Sequence, residues 1–165
     1  MGNVNIDDVR GYFMELVTPN FDEFYRDYQS QASAGREHLV MVYRRLVNLA
    51  LTLNHQTDKT KSKFGYDSPV SFIKAIQDKY PEEGEAIDRV RSFANNIKHE
   101  AKLDQTAGYN GLSPEGEPIA GAELLPEWKA VKKSGETFEV CSSVIMAYVF
   151  WGKYFASERS IEQAT

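Results

Sequence analysis

"ETFEVCSSVIMAYVFWGKYFASE", residues 136–158, decides the fold. From Phe138 through Trp151 to Phe155 it is apolar almost all round. Such a helix is the buried centre of a bundle, or is covered by a second protomer. The spacing predicts a long helix over 136–158, and the rest of the chain reads as the helices that pack around it.

Working outward, helical spacing recurs and no segment shows the period-two alternation of a strand. Ile6 to Val17 places Val9, Phe13 and Leu16 on one side. Thr18-Pro19 reads as an N-cap followed by proline at the first helical position. The segment it opens carries Phe21, Phe24, Tyr25 and Tyr28 at i, i+3, i+4 and i+7, so the two form separate helices or one kinked helix. Over Ser33 to about His55, Leu39, Tyr43, Leu46, Ala50 and Leu53 step by four, three, four, three, as in a helix packed lengthwise. Gln56 to Asp67 reads as a polar connector carrying Lys59, Lys61 and Lys63. Asp67-Ser68-Pro69 opens a short helix with Val70, Ile73, Ile76 and Tyr80 inward, stopped by Pro81. Glu85 to Leu103 follows, with Ile87, Val90, Ala94, Ile97 and Ala101 on its apolar face. Asp104 to Glu127 reads as a long loop, functional or mobile. The expectation is one all-α domain over residues 1–165, an up-and-down helical bundle of four to five main helices, with a mobile loop at about 104–127.

The chain has 165 residues, 42% hydrophobic and 26% charged, the composition of a globular protein. A net charge of −5 argues against a general electrostatic grip on nucleic acid. One cysteine makes no internal disulfide, no basic-then-apolar leader pattern is visible, and the longest apolar run is far short of a membrane span. A cytoplasmic protein with no membrane contact is expected.

Within the fifth segment, "RVRSFANNIKHEAKL" (89–103) gathers polar side chains on a helix side away from the apolar face. Arg91, Asn95 and His99 stand at i, i+4 and i+8, and Lys98 lies between this stripe and the apolar one. A solvated face is one account of the stripe. The chemistry supplies another. Histidine moves protons near neutral pH, while Arg91 and Lys98 can hold a phosphate. Asn95-Asn96 in mid-helix sacrifices helix propensity, which suggests amides that meet something.

The order of elements and "RSFANNIKH" resemble the HEPN superfamily, whose active members carry an arginine and a histidine with four to six residues between them. Seven residues separate Arg91 from His99 here, and the "NNIKHE" ending is similar to divergent members with an Asn-x-x-Lys-His core. The resemblance implies metal-independent RNA cleavage at a cleft between two protomers. His99 would then be general acid or base, Arg91 or Lys98 would stabilise phosphate charge, and Asn95 and Asn96 would orient the phosphate or the histidine. It also implies a homodimer, a defence or toxin–antitoxin setting and a protein partner such as an antitoxin. Many relatives are non-catalytic, so a helical dimerisation or partner- or RNA-binding module stands as the alternative.

Other constellations are weaker. Lys59, Lys61 and Lys63 could touch RNA phosphates or be a solvated connector. His99-Glu100 lacks the second histidine of a zinc helix, since position 103 is Leu103. His38 and His55 fall apart on their helix and are read as surface or helix-end residues, and Cys141 as a buried thiol. No metal site, cofactor or nucleotide-phosphate loop is expected.

Overall fold

Side-chain caps and prolines set where these helices begin. The computed structural model describes residues 5–30, 36–99, 104–110 and 125–165, with side chains for 5–30, 37–97 and 127–165. Asp8 accepts the Gly11 N–H at 2.9 Å and caps α1 (Val9–Tyr12). A π-helical turn (Phe13–Val17) then leads without a break into α2 (Thr18–Gln29). The expected cap at Thr18 is corrected: Thr18 is helical, and its N–H reaches back to the Phe13 carbonyl. Pro19 has no N–H to continue a regular ladder, and the wide turn directly before it absorbs that break.

Helix α3 (Arg36–Lys63) runs two turns past its expected end at His55. Gln56, Thr57 and Thr60 are buried, which is why a polar stretch belongs to a helix. Their donor groups bond internally, while Gln56 Oε1 has no partner among the described residues. Gln56 Nε2 donates to the Val9 carbonyl at 3.1 Å, and the Thr57 and Thr60 hydroxyls donate to the carbonyls of Leu53 and Gln56. The connector shrinks to a turn through Gly65, whose φ of +77° suits glycine.

Helix α4 (Pro69–Lys79) starts where expected, with Ser68 accepting the Ser71 N–H at 3.0 Å. Pro81 both ends that segment and opens α5 (Pro81–His99), four residues earlier than the apolar pattern suggested. Gly84 permits the tight crossing of the two helices: a Cβ there would lie 2.6 Å from the Gln77 backbone.

The all-helical expectation needs one correction. The strands β1 (Asp104–Asn110), β2 (Leu125–Val131) and β3 (Thr137–Glu139) form an antiparallel sheet in the order β1-β2-β3. The first two occupy the ends of the expected loop, and residues 111–124 lie outside the described residues. Asp104 stands opposite Lys129 and Asn110 opposite Leu125, with an irregularity between Gln105 and Tyr109. Pro126, unable to donate to a ladder, sits near the start of its strand beside that irregularity.

Helix α6 (Val140–Phe155) begins four residues later than expected, because residues 137–139 form β3. Glu139 makes the junction. Its carboxylate accepts the N–H groups of Cys141 and Ser142, and that of Trp128 from β2. Val140, Cys141, Val144, Ala147, Phe150 and Trp151 are buried within this one chain, against α5, α3 and β2. Only Met146 and Val149 on this helix remain exposed large apolar residues. Cover by a second protomer is therefore not needed to explain its composition. The architecture is mainly helical, with α6 inside and a small sheet whose β2 packs on α6.

Candidate functional site

Helix α5 presents the polar stripe. Two acidic residues in its first turn, Glu82 and Glu83, suit the positive end of the helix dipole. Ile87, Val90 and Ala94 are buried as expected and Ile97 is half-buried, but Ala86 and Phe93 are buried too, so the apolar face is wider than its periodicity suggested. The backbone remains helical through His99, which keeps Arg91, Asn95 and His99 in the i, i+4, i+8 register. The side chains of Lys98 and His99 lie outside the described residues.

The two arginines of the motif differ in occupation. Arg89 donates to Glu136 at 2.9 Å and lies 3.3 Å from a Glu85 carboxylate oxygen. Arg91 is half-buried, and among the described residues it forms no ion pair or hydrogen bond. Its guanidinium is uncommitted, which is what a phosphate ligand requires. Asn95 is also half-buried. Asn96 is in use: its amide donates to the Val131 carbonyl at 3.1 Å, where β2 ends. That bond answers why an asparagine is tolerated there.

Beside the stripe, the β2–β3 turn is clamped onto α5. Lys132 Nζ donates to Glu85 at 2.6 Å and Asp88 at 2.8 Å, with Glu136 3.5 Å away. Burial alone would lower the Lys132 pKa, but the bonds and charges of Asp88 and Glu85 outweigh it and hold the ammonium well above its usual range. Arg89, and then Lys132, hold the Glu136 carboxyl below its ordinary value. Sequence reading missed this clamp. Its only local trace is two i, i+4 pairs, Glu85–Arg89 and Lys132–Glu136.

The three connector lysines stand on α3, not in a loop. Lys59 donates to the Asp7 carbonyl at 3.3 Å and lies over the Tyr12 ring, while Lys61 donates to the Asp67 carbonyl at 3.4 Å. Lys63 is exposed. No described contact joins these lysines to α5. His38 bonds the Asp27 carbonyl at 3.0 Å and exposed His55 packs on Tyr12, both helix-surface roles. Cys141 is fully buried, and desolvation, then Glu139, pushes its thiol well up, so it is no ready nucleophile. Among the described residues no group of three His, Cys, Asp or Glu side chains could hold a metal ion, and no helix is long and apolar enough to cross a membrane.

Comparison with family models, curated proteins and solved structures gives no match.

Proposed function

We propose that this chain is an HEPN-like, metal-independent endoribonuclease whose reacting groups come from the outer flank of α5. The observation that carries the reading is the Arg91 guanidinium, uncommitted among the described residues and in register with Asn95 and His99, next to an Arg89 that is paired with Glu136 and Glu85.

His99 takes the proton from a ribose 2′-hydroxyl or returns one to the leaving 5′-oxygen, work suited to an imidazole near neutral pH. The 2′-oxygen attacks the adjacent phosphorus, the bond to the 5′-oxygen breaks, and a 2′,3′-cyclic phosphate results. Arg91, with Lys98, neutralises charge growing on the non-bridging oxygens. Eight helical steps set Arg91 and His99 about 12 Å apart along the axis, so the two act on one phosphate only by reaching toward it from either side of Asn95. Asn96, by contrast, positions the motif through Val131. The resemblance further proposes a homodimer, in which a second copy completes the cleft, and a defence or toxin–antitoxin setting with an antitoxin-like partner.

Incubation of the protein with single-stranded RNA in EDTA tests this. Products ending in cyclic phosphate should form and should fall at least about 100-fold in His99→Ala. Cutting that survives His99→Ala, or that needs a divalent metal, would overturn the reading. RNA bound but never cut would favour the non-catalytic binding module.

A further inference from the structure

The outer surfaces of α2 and α6 meet in an apolar face. The Phe21 ring stacks on Tyr148 with centroids 3.7 Å apart, and the Tyr148 hydroxyl donates to the Thr18 hydroxyl at 3.5 Å. Phe13, in the π-helical turn before α2, packs on Tyr148 and on Phe155, so the two elements run side by side in opposite directions. Helical register then carries Met14 and Tyr25 along one side of the face, and Ile145, Val149 and Gly152 along the other. Among the described residues eight large apolar side chains are exposed. Four of them, Met14, Tyr25, Met146 and Val149, stand on these two elements, so the exposure is concentrated rather than scattered. Phe21, Ile145 and Tyr148 are only partly buried.

Gly152 marks a place for close approach. Glycine inside a helix is an unfavourable choice, one made where another backbone or side chain must come near. Gly84 shows the case within this chain, because a Cβ there would strike Gln77. At Gly152 a Cβ would meet no heavy atom within 4 Å, so no described part of the chain fills the notch. The notch lies less than one helical turn from Val149.

Charge at the rim indicates the occupant. Glu15 and Asp22 are exposed beside Met14 and Phe21 and form no ion pair among the described residues. The neighbouring cations are engaged: Arg26 lies 3.7 Å from Asp27, and Lys153 lies 3.8 Å from Glu83. Arg10, without an ion pair among the described residues, stands a turn before Met14, at the end of the face rather than along it. A second copy would bring the same free carboxylates and a net charge of −5 to the contact, and like charges set face to face oppose association. A cationic partner complements them.

We propose that the face shared by α2 and α6 is a docking site for an amphipathic helix of another protein. Its apolar stripe lies over Tyr25, Val149 and Gly152, and its flank carries Lys or Arg toward Glu15 and Asp22. Helices lying side by side leave a groove between their side-chain ridges into which a third helix packs. The inference is independent of the ribonuclease reading.

A designed peptide tests it. The probe is a helix of about 18 residues, with leucine at i, i+4, i+7 and i+11 and lysine at the flanking positions, followed by fluorescence anisotropy. A matched peptide carries glutamate in place of lysine. The full-length protein should bind the lysine peptide and not the glutamate peptide. Gly152→Leu fills the notch and should weaken binding at least about tenfold, with a melting temperature no lower than wild type because the helix loses its glycine. Glu15→Lys with Asp22→Lys should reverse the preference between the peptides. No binding of the lysine peptide, equal binding of both peptides, or undiminished binding by Gly152→Leu would overturn the proposal. So would a wild-type dimer in light scattering that Gly152→Leu dissociates, which would give the face to a second copy.

Discussion

Ser157 occupies a backbone position that normally goes to glycine at the end of a helix. Its left-handed conformation costs about 1 kcal/mol through the Cβ–carbonyl approach. Ser157→Gly should therefore raise unfolding free energy by about 0.5–1 kcal/mol, part of the gain being offset by the looser unfolded chain. Urea denaturation reads this as a higher midpoint at unchanged slope, and a lower midpoint would contradict the strain. Gln56 makes a different point. Its side chain is wholly buried, bonded through Nε2 to Val9 and Thr60. Replacement by Ala should cost about 2–4 kcal/mol, from the cavity and the bonds lost, again measured by denaturation. A residue this polar reads as solvent-facing in sequence, so the last two turns of α3 read as a connector. Nothing local marks a glutamine that will find a partner 47 residues away. Arg91 and Arg89 are equally opaque in sequence, because only the fold shows which of them carboxylates occupy.

Apolar periodicity located α3, α4 and α6 and most of the α5 face, since helices packed on one side carry their partner's imprint. The strands escaped. β1 reads "DQTAGYN", with hardly an apolar residue, and β2 carries Pro126 near its start. Within β2 an alternation does exist, Trp128 and Ala130 buried while Lys129 is partly and Val131 largely exposed, but it is too short to stand out beside a proline. The clamp between this hairpin and α5 yields two expectations. Lys132→Met leaves Glu85 and Asp88 without their buried cation and should cost about 2 kcal/mol, the partial exposure of both carboxylates reducing the full penalty of an unpaired buried charge. Thermal melts and amide exchange over residues 125–139 would register it, and an unchanged melt would refute the clamp. The second concerns pH. The Glu136 pKa is lowered from 4.5 on folding, so its contribution is present above pH 4.5 and disappears as pH falls through the lower folded value. Acid titration should loosen the wild-type hairpin in that range, and Glu136→Gln should lack this step.

At the scale of the whole molecule, a mainly helical body with a net charge of −5 offers RNA no broad basic surface. Under the proposed function RNA would be held by a few local cations, and the α5 flank supplies Arg91, which is unpaired among the described residues. The clamp, the Asn96–Val131 bond and the packing of α6 hold α5 between Glu85 and Asn96. Sequence legibility is greatest for α4, whose cap and end fall where the pattern puts them, and least for the sheet beside α5. The most direct measurement compares single-turnover RNA cleavage, in EDTA, by Arg91→Ala and Arg89→Ala alongside thermal melts of both. Arg91→Ala should cut about 100-fold or more slowly with an essentially unchanged melt, while Arg89→Ala should melt lower yet cut within a few-fold of wild type. Arg91→Ala cutting at the wild-type rate would contradict the account.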